Sequence, residues 1–214
     1  MKLVVIDMGL GNLRSVINAF ERVGAEVAVT DSAVEVEGAE AVVLPGVGAF
    51  GDGMASLRAH GLIEPLRRHV LERGRPLLGI CLGMQLFAEE GTEHGRHEGL
   101  KLIRGRVVRL APTGPGCRLP NMGWCDVTVT NPASRLFAAI PSSERFYFGH
   151  GYAVQCADPI DVAATIDYGG PVTAAIERGN LFGVQFHPEK SQDAGLSVLE
   201  AFACRTAQAA EAMA

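Results

Sequence analysis

Pro76-Leu77-Leu78-Gly79-Ile80-Cys81-Leu82-Gly83-Met84-Gln85 starts as a short apolar run, Pro76 to Ile80, and passes into a segment of helical character from Cys81 to Glu90. A continuous apolar run of that length suits a strand buried on both faces, as parallel strands between two helix layers are. Strand, sharp turn and helix in that order form the unit of a doubly wound sheet. The glycines two before and two after Cys81 remove the side chains that would crowd such a turn. Cys81 then stands at its apex, the cysteine version of a nucleophile elbow. The following helix would aim its first N–H groups at the sulfur and favour thiolate over thiol. On spacing alone, a buried cysteine in a glycine-lined turn is the plain structural alternative.

Upstream, the same alternation recurs. Lys2 to Asp7 is a compact apolar run ending in a Gly-rich turn, and an amphipathic stretch from about Asn12 to Val23 follows. Val27 to Thr30 and Ala41 to Leu44 are further short strands, and Asp52 to Arg73 is helical with breaks expected at Gly61 and Pro65. Downstream the character changes. Arg106 to Leu110, Asp126 to Thr130, Phe146 to Phe148, Val162 to Ile166, Thr173 to Glu177 and Leu181 to Phe186 are strand-like, separated by turn residues, and are expected to extend the sheet with antiparallel pairs. A last helix runs from about Asp193 to Ala212. The fold expected is α/β, one doubly wound, mostly parallel sheet of flavodoxin type with an antiparallel extension in the second half. With 214 residues, 48% of them hydrophobic, the chain can bury one substantial core. A single domain over residues 1–214 is the expectation.

A cysteine nucleophile needs a base, and Phe186-His187-Pro188-Glu189 follows the strand Leu181 to Phe186. Pro188 disfavours helical dihedrals at His187 and holds it extended. Residues two apart in an extended segment project to one side, so the Glu189 carboxylate can lie beside the imidazole, fix its tautomer and stabilise the imidazolium. Acyl transfer also requires donors for a tetrahedral oxyanion. The N–H of Leu82 is the natural first one. A second can come from the turn Pro45-Gly46-Val47-Gly48, at Val47, because parallel strand ends gather on one sheet edge. The same glycines also suit a plain strand-to-helix turn.

Other chemistry is excluded or weak. A formal net charge of −5 with 20% charged residues gives no basic field for nucleic acid or anionic lipid. Asp7 interrupts the N-terminal apolar run too early for a signal peptide, and no stretch reaches the roughly 20 apolar residues a membrane span needs. A soluble, cytoplasmic protein is expected. Five scattered cysteines, with no C-x-x-C pair, point to reduced thiols. Gly9-Leu10-Gly11 starts a dinucleotide fingerprint that fails at Arg14, and His94 and His97 sit in a polar stretch better read as loop than as metal ligands. No metal or other cofactor is implied.

Four runs together resemble the class I, triad-type glutamine amidotransferases: Gly9-Leu10-Gly11-Asn12-Leu13-Arg14-Ser15-Val16, Leu44-Pro45-Gly46-Val47-Gly48-Ala49-Phe50, Gly79-Ile80-Cys81-Leu82-Gly83-Met84-Gln85 and Phe186-His187-Pro188-Glu189-Lys190-Ser191-Gln192. The elbow and His-Pro-Glu runs mark the class. The opening run and the Lys190 extension are similar to the glutaminase subunits of imidazole glycerol phosphate synthases, and the resemblance runs nearly end to end. It implies that Cys81 attacks the side-chain amide of glutamine, that His187 protonates departing ammonia, and that water cleaves the glutamyl thioester. It further implies that Gly48 and Gln85 help hold glutamine, with backbone near Gly151 and Tyr152 reading its α-amino and carboxylate groups. The partner implied is a (β/α)₈ cyclase, bound as a heterodimer and fed ammonia through a protected channel, with Asn12, Trp124 and Lys190 facing it. Two segments depart from the family pattern. Asn121-Met122-Gly123-Trp124-Cys125 stands where His-Met-Gly-Trp-Asn is usual, and Phe148-Gly149-His150-Gly151-Tyr152 where Phe-Val-His-Ser/Thr-Tyr is usual. Three other readings remain open at this point: a glutaminase serving a related ammonia-using synthase, a stand-alone γ-glutamyl hydrolase, and a catalytically idle binding subunit on the same fold.

Overall fold

The computed structural model describes residues 2–113 and 116–212. In chain order the strands are β1 (Lys2–Ile6), β2 (Glu26–Thr30), β3 (Ala41–Gly46), β4 (Leu77–Cys81), β5 (Glu90–Gly91), β6 (His97–Glu98), β7 (Gly105–Arg109), β8 (Asn121–Val129), β9 (Ser143–His150), β10 (Tyr152–Cys156), β11 (Val162–Asp167), β12 (Pro171–Arg178) and β13 (Leu181–Val184). The α-helices are α1 (Leu13–Arg22), α2 (Ala33–Gly38), α3 (Phe50–Ala59), α4 (Ile63–Leu71), α5 (Leu82–Gln85) and α6 (Gln192–Ala212). One-turn 3₁₀ helices occupy Pro159–Asp161 and Pro188–Lys190.

Nine strands form the main sheet in the order β2-β1-β3-β4-β13-β12-β11-β8-β9. The first five run parallel, and the remaining four add antiparallel pairs at one side. This is the α/β architecture with antiparallel extension expected from the sequence. The apolar strands divide their side chains between two faces with period two. Leu3, Val5, Val43, Leu78 and Ile80 pack with Phe20 of α1 and Phe202 of α6, whereas Val4, Ile6, Val42, Leu44 and Leu77 pack with Met54 and Leu57 of α3 and Leu66 of α4. Among the described residues no helix is long and apolar enough to cross a membrane.

Several expectations need correction. The run 106–110 does not extend the main sheet. As β7 it pairs with β5 and β10 in a separate four-stranded sheet, β10-β7-β5-β6. Gly151, alone between β9 and β10, is where the chain leaves one sheet for the other. The segment 52–73 breaks at Gly61, whose φ is +66°, but not at Pro65. Pro65 falls in the first turn of α4, where a missing N–H costs no helical hydrogen bond. The helix after Cys81 is a single turn rather than a run to Glu90. Its next carbonyls are taken from outside: Leu100 N donates to Leu86 O, Leu102 N to Phe87 O and Lys101 N to Ala88 O. Tertiary hydrogen bonds thereby end a helix that local propensity would continue, and α5 offers the sulfur less of a dipole than a long helix would.

Candidate active site

Parallel register puts the elbow and the Gly-rich turn side by side. Gly46 of β3 pairs with Cys81 of β4, so Val47 and Leu82 leave the sheet together on the same edge. Cys81 itself has φ +54° and ψ −109°, a conformation that an L residue adopts only when its surroundings impose it. Those surroundings are visible. A Cβ on Gly83 would overlap the carbonyl oxygen of Leu44, and one on Gly79 would lie 2.6 Å from the nitrogen of Met84 and from the ring of Phe87. The two glycines are therefore obligatory for the turn, as expected from their spacing.

His187 reaches Cys81 from the end of β13, which pairs parallel with β4. Its Nδ1 lies 2.8 Å from Oε1 of Glu189, and both side chains are buried, with 6% and 4% exposure. Because the carboxylate accepts, Nδ1 carries the proton and Nε2 is left for the sulfur. Alternation along a strand, the cause expected from the spacing, does not make this contact. The strand stops at Val184. His187 is extended at φ −99°, ψ 96°, and Glu189 sits in the 3₁₀ turn Pro188–Lys190. Pro188 starts that turn, and the turn swings the carboxylate back onto the imidazole.

The histidine corner is pinned from three sides. His187 N donates to Tyr147 O at 2.8 Å, and Ser191 Oγ donates to His187 O at 2.7 Å while accepting from Tyr147 N at 3.0 Å. Phe186, immediately before the histidine, stacks on Phe146 with centroids 4.1 Å apart. Burial alone would depress the imidazole pKa. The neighbouring Cys81 sulfur and the Glu189 carboxylate outweigh it by favouring the charged ring, and hold the pKa up at about 9. A positively charged imidazole beside a sulfur is the setting in which a cysteine attacks as thiolate.

The remaining expected residues fall around this centre. Gly48 has φ +113° and opens the turn into α3, and Val47 lies with its side chain and backbone nitrogen against Gly11. Gln85 is buried, and its amide nitrogen donates to Tyr152 O and to Gln185 Oε1, both at 2.9 Å. Gly151 O accepts from Leu110 N, which anchors the crossing between the sheets. A cavity of about 30 Å³ brings Asn12, Val47, His187, Glu189 and Lys190 together. Asn12 also caps α1, its side chain bonding Ser15. Lys190 Nζ stands 5.7 Å from the centre of the Tyr147 ring, which packs edge-on against the half-exposed Trp124. Asn12 and Lys190 thus line the small cavity beside His187 and Glu189, and Trp124 reaches Lys190 only through the Tyr147 ring. A larger cleft of about 770 Å³, lined by charged residues such as Glu89, Arg96 and Arg106, lies apart from the triad and holds no nucleophile paired with a base.

A family profile described as "Glutamine amidotransferase class-I" covers residues 4–205. The chain belongs to the class-I glutamine amidotransferases. Among curated members of this enzyme family, it is 49% identical to the imidazole glycerol phosphate synthase subunit HisH of Syntrophotalea carbinolica, over 94% of this chain and 98% of that one. It is 46% identical to the HisH subunit of Rhodospirillum rubrum at the same coverage. The fold is also that of PurLQS from Thermotoga maritima, with a TM-score of 0.74 at 20% identity over 95% of this amidotransferase and 98% of that chain.

Sequence reasoning missed Gln185, Tyr147 and Ser191. Gln185 had a signal: it is a polar residue inside an otherwise apolar strand run, two positions before His187. Tyr147 had none, because its bonds join distant segments, and nothing in the sequence announces that the Ser191 hydroxyl links His187 O to Tyr147 N.

Proposed function

We propose that this chain is the glutaminase subunit of an imidazole glycerol phosphate synthase, one domain over residues 1–214 acting in the cytoplasm on behalf of a cyclase subunit of (β/α)₈ form. The observation that carries the reading is the strained Cys81 elbow set against an imidazole that Glu189 orients and keeps charged. The names of the HisH relatives support the choice of acceptor.

With the Cys81 proton already held on Nε2 of His187, the sulfur attacks the side-chain amide carbon of glutamine as thiolate. Charge gathers on the amide oxygen, where the N–H of Leu82 and that of Val47 receive it. His187 returns the proton to the departing nitrogen, the carbon–nitrogen bond breaks, and ammonia leaves a glutamyl thioester on Cys81. Water then loses a proton to His187 and adds to the thioester carbon. The carbon–sulfur bond breaks, releasing glutamate and the free cysteine. Gly48, Gln85, Gly151 and Tyr152 form the wall against which glutamine lies. Asn12, Trp124 and Lys190 face the cyclase, on the side where the small cavity opens between α1 and the triad, so ammonia leaves toward the subunit that consumes it.

Glutamate release by the purified chain, alone and with an imidazole glycerol phosphate synthase cyclase plus its nucleotide substrate, tests this. Low activity that rises with the liganded cyclase and vanishes in Cys81→Ala is the expected result. Full activity without a partner would instead mark a stand-alone hydrolase, and activity undiminished in Cys81→Ala would remove the mechanism.

A further inference from the structure

The triad does not account for everything bonded to the Cys81 sulfur. Gln185 is completely buried, and its Nε2 lies 3.6 Å from Cys81 Sγ. A side-chain amide is reversible in principle, with oxygen and nitrogen nearly the same shape, so its orientation must be read from the network that holds it. Here the network has one fixed point. The Tyr152 carbonyl oxygen can only accept. Gln85, 2.9 Å away, must therefore present its NH₂ group there. The second hydrogen of that NH₂ meets the Gln185 amide at 2.9 Å, which obliges Gln185 to turn its oxygen toward Gln85. Its own NH₂ then faces the sulfur.

The other side of Tyr152 O reinforces this polarity. His150 Nδ1 lies 2.8 Å from the same oxygen and must carry the proton. Burial pushes the His150 pKa down to about 4 against the pull of that bond, so the ring is neutral and its Nε2 accepts from Asn121 Nδ2 at 3.2 Å. Asn121 Oδ1 in turn accepts from Cys125 Sγ at 3.5 Å. Asn121 and Cys125 are two of the positions that depart from the family pattern. Together they form a matched donor and acceptor pair, which keeps the chain of bonds directed without a gap.

We propose that Gln185 is a further residue of the reaction site, whose amide N–H, aimed by the buried chain through Gln85 and Tyr152, stabilises the Cys81 sulfur in its anionic form. The inference rests on the reading of Cys81 as nucleophile. A neutral thiol gains little from such a donor. A thiolate gains a charge-assisted bond, in a place where no solvent competes for it. The donor therefore acts on the attacking species and contributes little to holding glutamine.

The test uses Gln185→Met, close in length but without a donor, and Gln185→Leu as a second variant should the first not fold. Three readouts are taken: kcat and KM for glutamate release with the cyclase present, the rate of Cys81 alkylation by iodoacetamide, and thiolate absorbance as the difference from Cys81→Ala. A fall of about tenfold or more in kcat and in alkylation rate, with loss of thiolate absorbance and a glutamine KM within about twofold, is expected. A purely structural Gln185 would move stability or KM and leave the alkylation rate alone. Alkylation and kcat within twofold of the parent chain would overturn the proposal while leaving the triad standing. A parent chain whose Cys81 alkylates no faster than its exposed Cys204 would overturn the reading of Cys81 itself, and this inference with it.

Discussion

At Cys81 the chain turns between β4 and α5 with Gly79 and Gly83 bare of side chains, whereas at His187 it leaves β13 through a corner clasped by Ser191, the Tyr147 backbone and the Phe146–Phe186 stack. One half of the triad is placed by exclusion and the other by attachment. Exclusion is steep: an added methyl group has nowhere to go because backbone, not a flexible side chain, occupies the space. Attachment is graded, since each bond contributes a modest share and the rest of the corner persists when one is lost.

Gly83→Ala tests the contrast where it is sharpest. Its Cβ would overlap Leu44 O, so β3 and the elbow must move apart. A loss of about 3 kcal/mol or more is expected in denaturant unfolding, together with the loss of glutaminase activity. A variant with parental stability would show that the elbow is not held by exclusion.

Glu189→Gln leaves the corner's backbone in place and removes the charge that orients the imidazole. Activity should fall about 10- to 100-fold, and stability should fall at neutral pH, where the charged imidazole loses one of its partners. The pH dependence has a definite sign. A group whose pKa rises on folding stabilises the fold fully below its unfolded value, near 6.5, and that contribution disappears as pH climbs through its folded value, here about 9. Unfolding free energy should accordingly decline from pH 6.5 to 9 in the parent chain, and the decline should be shallower in Glu189→Gln. Parallel curves would show that the carboxylate does not set the imidazole's charge.

Ser191→Ala removes one clasp. The part-buried Tyr147 N–H loses its acceptor, and the expected cost is about 1 kcal/mol with a few-fold lower kcat. Stability and rate both unchanged would mean that the other clasps suffice.

Gly149→Val combined with Gly151→Ser should have the smallest effect. A Cβ has room at both positions: on Gly149 it would stand 3.9 Å from His187 Nε2, and on Gly151 3.9 Å from Pro120 Cβ. Replacing the two glycines, one near the end of β9 and one at the crossing between the sheets, lowers the backbone freedom there before glutamine binds, and glutamine binding without the partner should tighten about two- to fivefold. An unchanged affinity, measured by titration into Cys81→Ala, would sink the idea that these glycines weaken binding through chain entropy.

The same contrast separates what is legible in the sequence from what is not. Gly79, Cys81 and Gly83 announce their geometry because the constraint is local, two residues either side of a turn. The strand and helix alternation of the first half is legible for the same reason, each strand carrying its own apolar run and its own turn. The His-Pro-Glu run points to the right neighbours for the wrong reason, since spacing cannot distinguish a strand from the 3₁₀ turn that brings Glu189 round. The length of α5 is not legible, because residues 100–103 end it from outside. Nor is the second sheet, because β7 has the pattern of any half-buried strand and only its partners β5 and β10 assign it.

By itself the sequence determined the parallel core, the elbow and the residue types that meet at the candidate site, since hydrophobic period, glycine placement and side-chain chemistry act over a few residues. Tertiary structure alone decided how the Tyr147 and Ser191 clasp holds the His187 ring against the sulfur, and which way the Gln185 amide points. Both depend on hydrogen bonds between groups 40 or more residues apart along the chain, and a directional bond exists only once both partners have been brought to the same place.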